Sequence, residues 1–249
     1  GHGWTDKSFV DDLTGNEDLL AVGAEEETTP TRRGTAAATM SIGIMEYNGG
    51  CCVAMVGKDC VGIASDRRFG INNHTLAQDN ERIFKVNNET FIGLTGLGTD
   101  VLTFSEKLQF RLKMFKLRED RDITPTMLGS LVSSMLYERR FGYYFVEPIV
   151  CGLEPQEDGS SKPFVMATDL IGAACFPGNF AVGGTCSESL YGMCESLWKE
   201  DMEAEDLFEV LSQALLASVD RDCLSGWGGV VHIISKDSIT TKYLKGRQD

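Results

Sequence analysis

The chain has 249 residues, 42% of them hydrophobic and 24% charged, which is enough apolar material for one large domain with a sizeable core. That balance excludes a mainly disordered chain, a collagen-like repeat and a disulfide-stapled scaffold. The formal charge of −14, from 37 acidic and 23 basic residues, repels nucleic-acid phosphates and anionic lipid, so neither nucleic acid nor a membrane is an expected partner.

Residues 1–39 read as an acidic, flexible leader. They hold eight acids and three bases, including Glu25-Glu26-Glu27, and end in an Ala-rich stretch from Thr35 to Thr39. No apolar segment of signal-peptide type stands among them. From Met40 onward short apolar or alternating runs predict strands at 41–47, 52–56 and 60–65, separated by the turn formers Asn48-Gly49-Gly50 and Gly57-Lys58-Asp59. Two further strands are expected at 83–86 and 90–95, with Asn87-Asn88 between them.

The period then changes. Val101, Phe104, Leu108, Leu112 and Phe115 recur at helical spacing behind Thr99, a plausible N-cap. Thr124-Pro125 opens a second helix carrying Leu128, Leu131, Val132, Met135 and Leu136 on one face. Strands return at 147–152, 163–168 and 180–182, followed by helices at 187–198 and 204–219 and closing strands at 228–234 and 238–241. The order is strands, two helices, strands, two helices, strands. Such clustering predicts two packed sheets with a helix pair on each outer face, not an alternating doubly wound sheet. The longest uncharged run, 170–187, is broken by glycines and Pro177 and reads as buried strands and turns, not a bilayer span.

Eight scattered cysteines, without a C-x-x-C pair, and only three histidines offer no metal-ligand cluster. They read as reduced thiols, and neither a metal nor another cofactor is expected. His232 lies in an apolar strand, where a satisfied core histidine is the plainer reading. Three local patterns stand out: Val61-Gly62-Ile63-Ala64-Ser65-Asp66-Arg67-Arg68, Gly93-Leu94-Thr95-Gly96-Leu97-Gly98-Thr99-Asp100, and Asp220-Arg221-Asp222-Cys223-Leu224-Ser225-Gly226. The Gly-rich turn lacks the Lys-Ser/Thr pair of a phosphate loop, so a tight strand-to-helix connection explains it better.

In their order and spacing these three segments resemble a proteasome beta subunit over residues 41–249. The runs Tyr47-Asn48-Gly49-Gly50 and Leu190–Trp198 narrow the likeness to one subunit type. The resemblance implies an α+β fold, the four-layer αββα sandwich of N-terminal nucleophile hydrolases, in a domain at 40–249. It implies other proteasome alpha and beta subunits as partners, in seven-membered rings, and a location in cytoplasm and nucleus. It also implies a role in ATP- and ubiquitin-dependent protein degradation.

Active family members attack with an N-terminal threonine sixteen residues before the strand-end aspartate, and carry a lysine sixteen residues after it. Counted from Asp66, these positions hold Gly50 and Arg82. Glycine has no attacking group, and arginine keeps its proton at physiological pH. Gly183 falls at what looks like the supporting serine position. Asp66, Arg68, Gly96, Asp222 and Ser225 match the family frame. A non-catalytic subunit is therefore expected, with the retained polar groups as a structural network. Met166 and Asp169, near the end of an expected strand, are candidates for lining a neighbour's substrate pocket.

The alternative is an active endopeptidase that exposes Thr35, Thr39 or Cys51 by self-processing. Thr35 and Thr39 lie 31 and 27 residues before Asp66, so either pairing needs a large loop-out. Cys51 is one residue from the nucleophile position, a shift that turns a strand side chain to the opposite face.

Overall fold

The computed structural model describes residues 43–247, so the expected leader, with Thr35 and Thr39, lies outside the described residues. Period-two alternation in the first two strands decides the layering. In β1 (Cys51–Val56), Cys51, Val53 and Met55 enter one core while Cys52 and Ala54 enter another. In β2 (Cys60–Asp66), Cys60 and Ala64 join the first core, and Val61 and Ile63 the second. A sheet apolar on both faces needs cover on both sides.

That sheet is completed by β10 (Phe180–Gly184), β11 (Gly229–Ser235) and β12 (Ile239–Leu244) in the order β10-β1-β2-β11-β12, every pairing antiparallel. One face is covered by α3 (Ser187–Leu197) and α4 (Ala204–Val219), which insert Leu190, Cys194, Leu207, Leu211 and Leu215. Helix α4 lies so close to β2 that a Cβ on Gly62 would fall 2.2 Å from a Leu211 methyl carbon.

The other face meets a second antiparallel sheet, made of β5 (Ile83–Lys85), β6 (Thr90–Gly96), β7 (Val146–Pro155), β8 (Ser161–Thr168) and β9 (Ala174–Cys175) in that order. Ile149, Cys151, Leu153 and Val165 close the core between the sheets. The outer face of the second sheet packs against α1 (Gly98–Glu119) and α2 (Pro125–Tyr137) through Phe104, Leu108, Leu128, Val132 and Met135. The result is the αββα sandwich expected from the element order.

The expected elements recur with instructive departures. Of the strand expected at 41–47, residues 41 and 42 lie outside the described residues and 43–47 do not form a strand. Ile44–Glu46 form a short 3-10 turn in which the Glu46 carboxylate accepts the Gly43 N–H at 3.1 Å. Both flanks of β1 are already paired, with β2 and β10, so the sheet has no place for this segment beside β1. Helix α1 begins at Gly98, not behind a Thr99 cap, because Asn48 Oδ1 accepts the Gly98 N–H at 2.8 Å from fifty residues upstream. Helix α2 starts as expected, with Thr124 Oγ1 accepting from Met127 N and Pro125 in its first turn. A hairpin of β3 (Phe69–Ile71) and β4 (His74–Ala77) and the two-residue β9 were not expected.

His232 on β11 is half-buried, stacks on Phe91 at a centroid distance of 5.4 Å, and shares a 2.9 Å hydrogen bond with the Thr241 hydroxyl. Burial pushes its ring below the usual histidine pKa, so the folded state holds it neutral more strongly than the unfolded chain does. This contribution is complete above the unfolded value of about 6.5 and is lost as pH falls below it, with a slope of at most ~1.4 kcal/mol per pH unit. Urea unfolding at pH 5.0 and 7.5 is expected to show a smaller stability loss on acidification for His232→Gln than for the natural chain. Equal losses would show that the ring contributes nothing.

Candidate functional site

The site is built where the turn before β1 meets the end of β2. Pairing of Cys52 with Ser65 brings Cys51 beside Asp66, and Asp66 Oδ1 accepts the Cys51 N–H at 3.0 Å. Asp66 Oδ2 accepts Gly226 N–H at 3.1 Å and Arg68 N–H at 3.3 Å. The carboxyl is fully buried, and burial pushes its pKa up while Arg82 and the three backbone donors oppose that shift.

Arg82, immediately before β5, sends Nε to within 3.5 Å of Asp66 Oδ1. Its Nη2 donates to Gly49 O at 2.9 Å and Arg68 O at 2.5 Å. Gly50 has φ +108°, a conformation that suits glycine, and a Cβ there would fall 2.0 Å from Arg82 Nη2. The guanidinium therefore occupies the space that a side chain at position 50 would need. Gly96, the expected oxyanion-type glycine, has φ +122° and lines the same place. What remains beside Arg82, bounded also by Asn48, Gly49, Gly96 and Gly98, is a cavity of about 60 Å³. Ligand clefts run to roughly 300–1,000 Å³, several times this volume.

Arg68 is buried and spans to the closing turn, with Nη1 donating to Leu224 O at 3.0 Å, Nη2 to Asn72 O at 2.9 Å and Nε to Thr75 Oγ1 at 2.9 Å. On the same turn Asp222 Oδ2 accepts Ser225 Oγ at 2.5 Å and Thr185 Oγ1 at 2.6 Å. The Thr185 N–H also reaches Gly50 O at 3.0 Å. All five frame residues thus converge around Gly50, with Asp222 and Ser225 joined to it through Thr185.

Two sequence expectations need correction, and the structure also bears on the alternative nucleophile Cys51. The hydroxyl beside Asp222 and Ser225 belongs to Thr185, so the position that faces this network is 185 and not Gly183. A Cβ on Gly183 would instead meet Thr95 Oγ1 and Glu147 Oε2 between the sheets. The signal was present, since Thr185 follows the two glycines directly, but the hydroxyl's position depends on how β10 ends. Met166 cannot line a neighbour's pocket. It is fully buried under α2, where a Cβ on Gly129 would come within 2.4 Å of its sulfur. Its β-strand parity places it on the helix side of β8. Cys51, the alternative nucleophile, is unsuited to attack, as its one-residue offset implied: its thiol lies in the core under α3 and α4. A hydrogen bond with Cys186, reinforced by burial, raises its pKa and holds it protonated.

Asp169 is exposed, and its Oδ1 accepts Ile171 N–H at 3.0 Å and Ala173 N–H at 2.7 Å, closing the turn after β8. It borders a recess of about 350 Å³ shared with Glu147, Cys175 and Tyr191. Among the described residues no group of three or more His, Cys, Asp or Glu side chains is arranged to hold a metal ion.

This geometry agrees with the comparisons to known proteins. The family model described as proteasome subunit matches residues 46–234. The chain belongs to the proteasome subunit family. It is 54% identical over 206 residues to the Arabidopsis thaliana protein named proteasome subunit beta type-3-A, covering 83% of this chain and 99% of that one. It is 50% identical to proteasome subunit beta type-3 of Dictyostelium discoideum, with the same coverage. A 48% identical relative from Schizosaccharomyces pombe is named a probable proteasome subunit beta type-3. The Gly50 turn is filled from the side by an arginine.

Replacing Gly50 tests that filling directly. Gly50→Ala must displace Arg82 or distort the turn, and leaving Asp66 buried without its partner costs about 3–5 kcal/mol. Urea denaturation is expected to show a loss of that order, whereas a loss within about 0.5 kcal/mol, as at an ordinary surface position, would refute the packing argument.

Proposed function

We propose that this chain is a non-catalytic beta subunit of the proteasome core particle. It assembles with other proteasome alpha and beta subunits in seven-membered rings and serves assembly and enclosure while active neighbours degrade proteins in the ATP- and ubiquitin-dependent pathway. The observation that carries this reading is the Arg82 guanidinium lying where a Gly50 side chain would have to be. The names of the relatives support the subunit type. A location in cytoplasm and nucleus belongs to the same proposal, supported by eight cysteines that are all unpaired.

Self-processing at Thr35, Thr39 or Cys51 gains no support from the site. A threonine-directed covalent inhibitor is expected to leave this subunit unlabelled in the assembled particle while labelling its active neighbours. Gly50→Thr is expected to remain unlabelled too, since no lysine stands at position 82. Labelling of either form would overturn the non-catalytic reading.

The Asp169 carboxylate is proposed to add negative potential at the rim of a neighbour's pocket, favouring basic substrate side chains. Asp169→Asn keeps the Oδ1 acceptor that closes the turn and removes only the charge. The proposal expects a loss of cleavage of basic-residue peptides at one neighbour only, measured in the assembled particle. Unchanged rates at every neighbour, with normal assembly, would reduce Asp169 to a turn residue.

A further inference from the structure

Phe141 is the most exposed large apolar side chain among the described residues, at 96%. It stands with Tyr137 and Tyr143, both exposed, on the turn that leads from α2 into β7. Arg140 fastens the group. Its guanidinium lies 5.6 Å from the Tyr137 ring centroid and 5.4 Å from that of Phe141, and its Nη1 donates to the Tyr137 hydroxyl at 3.0 Å. Backbone N–H groups of Arg139, Arg140 and Gly142 donate to the Leu136, Tyr137 and Arg139 carbonyls, each at 3.0 Å, and hold the turn in shape. Aromatic rings and arginine are the side chains in which binding surfaces are enriched, and here they are ordered before any partner arrives.

Charge and position both bear on what the turn binds. Its one acid, Glu138, is taken up by Arg111 at 2.8 Å, whereas neither Arg139 nor Arg140 has an ion-pair partner among the described residues. In a chain of net charge −14 this turn is a positive island, which attracts acidic side chains and repels the same surface of a second copy. Beside it, between α1 and α2, opens a recess of about 450 Å³ bordered by Phe110, Met135, Arg139 and Tyr144, within the size range of ligand clefts. At the foot of the turn Phe145 donates its N–H to Asp100 Oδ2 at 2.9 Å and accepts the Leu97 N–H at 2.8 Å. A Cβ on Gly96 would fall 2.2 Å from the Phe145 carbonyl oxygen. The turn therefore abuts Gly96, the glycine matched to the oxyanion position of active members.

We propose that this turn and its recess hold unfolded polypeptide by aromatic and acidic side chains, keeping it near the active neighbours while they cleave it. An unfolded chain displays such side chains along its whole length and needs only brief contacts. A few rings and two guanidiniums suffice for that, whereas a stable interface buries about 800 Å² on each partner. The subunit thus contributes retention of substrate as well as enclosure, without a nucleophile of its own. The inference rests on the proposed place in the core particle, because the retained chain must lie within reach of active subunits.

The test uses the assembled particle carrying Phe141→Ser or Arg140→Gln. Both side chains are exposed, so neither change disturbs the core. A long unstructured peptide rich in Phe and Glu is expected to show a KM raised about threefold to tenfold in either variant. Short reporter peptides are expected to keep both kcat and KM at every active neighbour, and a long peptide with Lys in place of Glu is expected to change less. An unchanged KM for the Phe- and Glu-rich peptide in both variants would overturn the proposal. Exclusion of either variant from the particle, seen by native mass measurement, would also overturn it by making the turn a subunit contact. Absence of the natural chain from the particle would instead refute the proposed function, and the inference with it.

Discussion

The arrangement around Gly50 depends on the pairing of Arg82 with Asp66 inside the protein. Asp66 ties together three stretches of chain: the start of β1 through Cys51, the end of its own strand through Arg68, and the closing turn through Gly226. Arg82 adds a fourth, the approach to β5, and fastens the Gly49 and Arg68 carbonyls. Such a pair contributes little net stability compared with apolar packing, because both charges must leave water. Its effect is one of specification. With either partner removed, the other is left as an uncompensated buried charge, so the four segments are held in one relative position.

The same pair is the physical basis of the proposed non-catalytic role. An exposed N-terminal nucleophile needs a side chain at the start of β1, a base beside it and open space in front. Gly50 lacks the first, Arg82 cannot supply the second, and the guanidinium takes up the third. The polar groups that remain, Asp222, Ser225 and Thr185, are fully engaged with one another and with the Gly50 carbonyl. They act as fasteners between β10 and the closing turn.

Much of this was legible in the sequence because the relevant signals are local or strictly periodic. The helix pairs follow from apolar residues three and four apart, and the layering of the first sheet from strands buried on both faces. The Gly50 and Arg82 positions follow from the resemblance, which counts sixteen residues to either side of Asp66. What the sequence did not disclose depends on contacts distant in the chain. Asn48 caps α1 from fifty residues away, so a local search settles on Thr99 instead. The 41–47 run has strand-like composition but no free sheet edge beside β1. Thr185 lies where β10 ends, and a shift of two residues separates it from Gly183. Met166 was placed at a surface by its nearness to Asp169, yet strand parity turns it inward under α2.

The central claim is that no nucleophile is exposed in this subunit. The most direct measurement is the intact mass of the chain isolated from the mature particle, together with that of variants altered at Thr35, Thr39 and Cys51. The account predicts that none of these residues becomes the N-terminus through its own chemistry, so each substitution changes the mass only by the residue replaced. A mature chain beginning at one of them, and failing to form when that same residue is substituted, would contradict it.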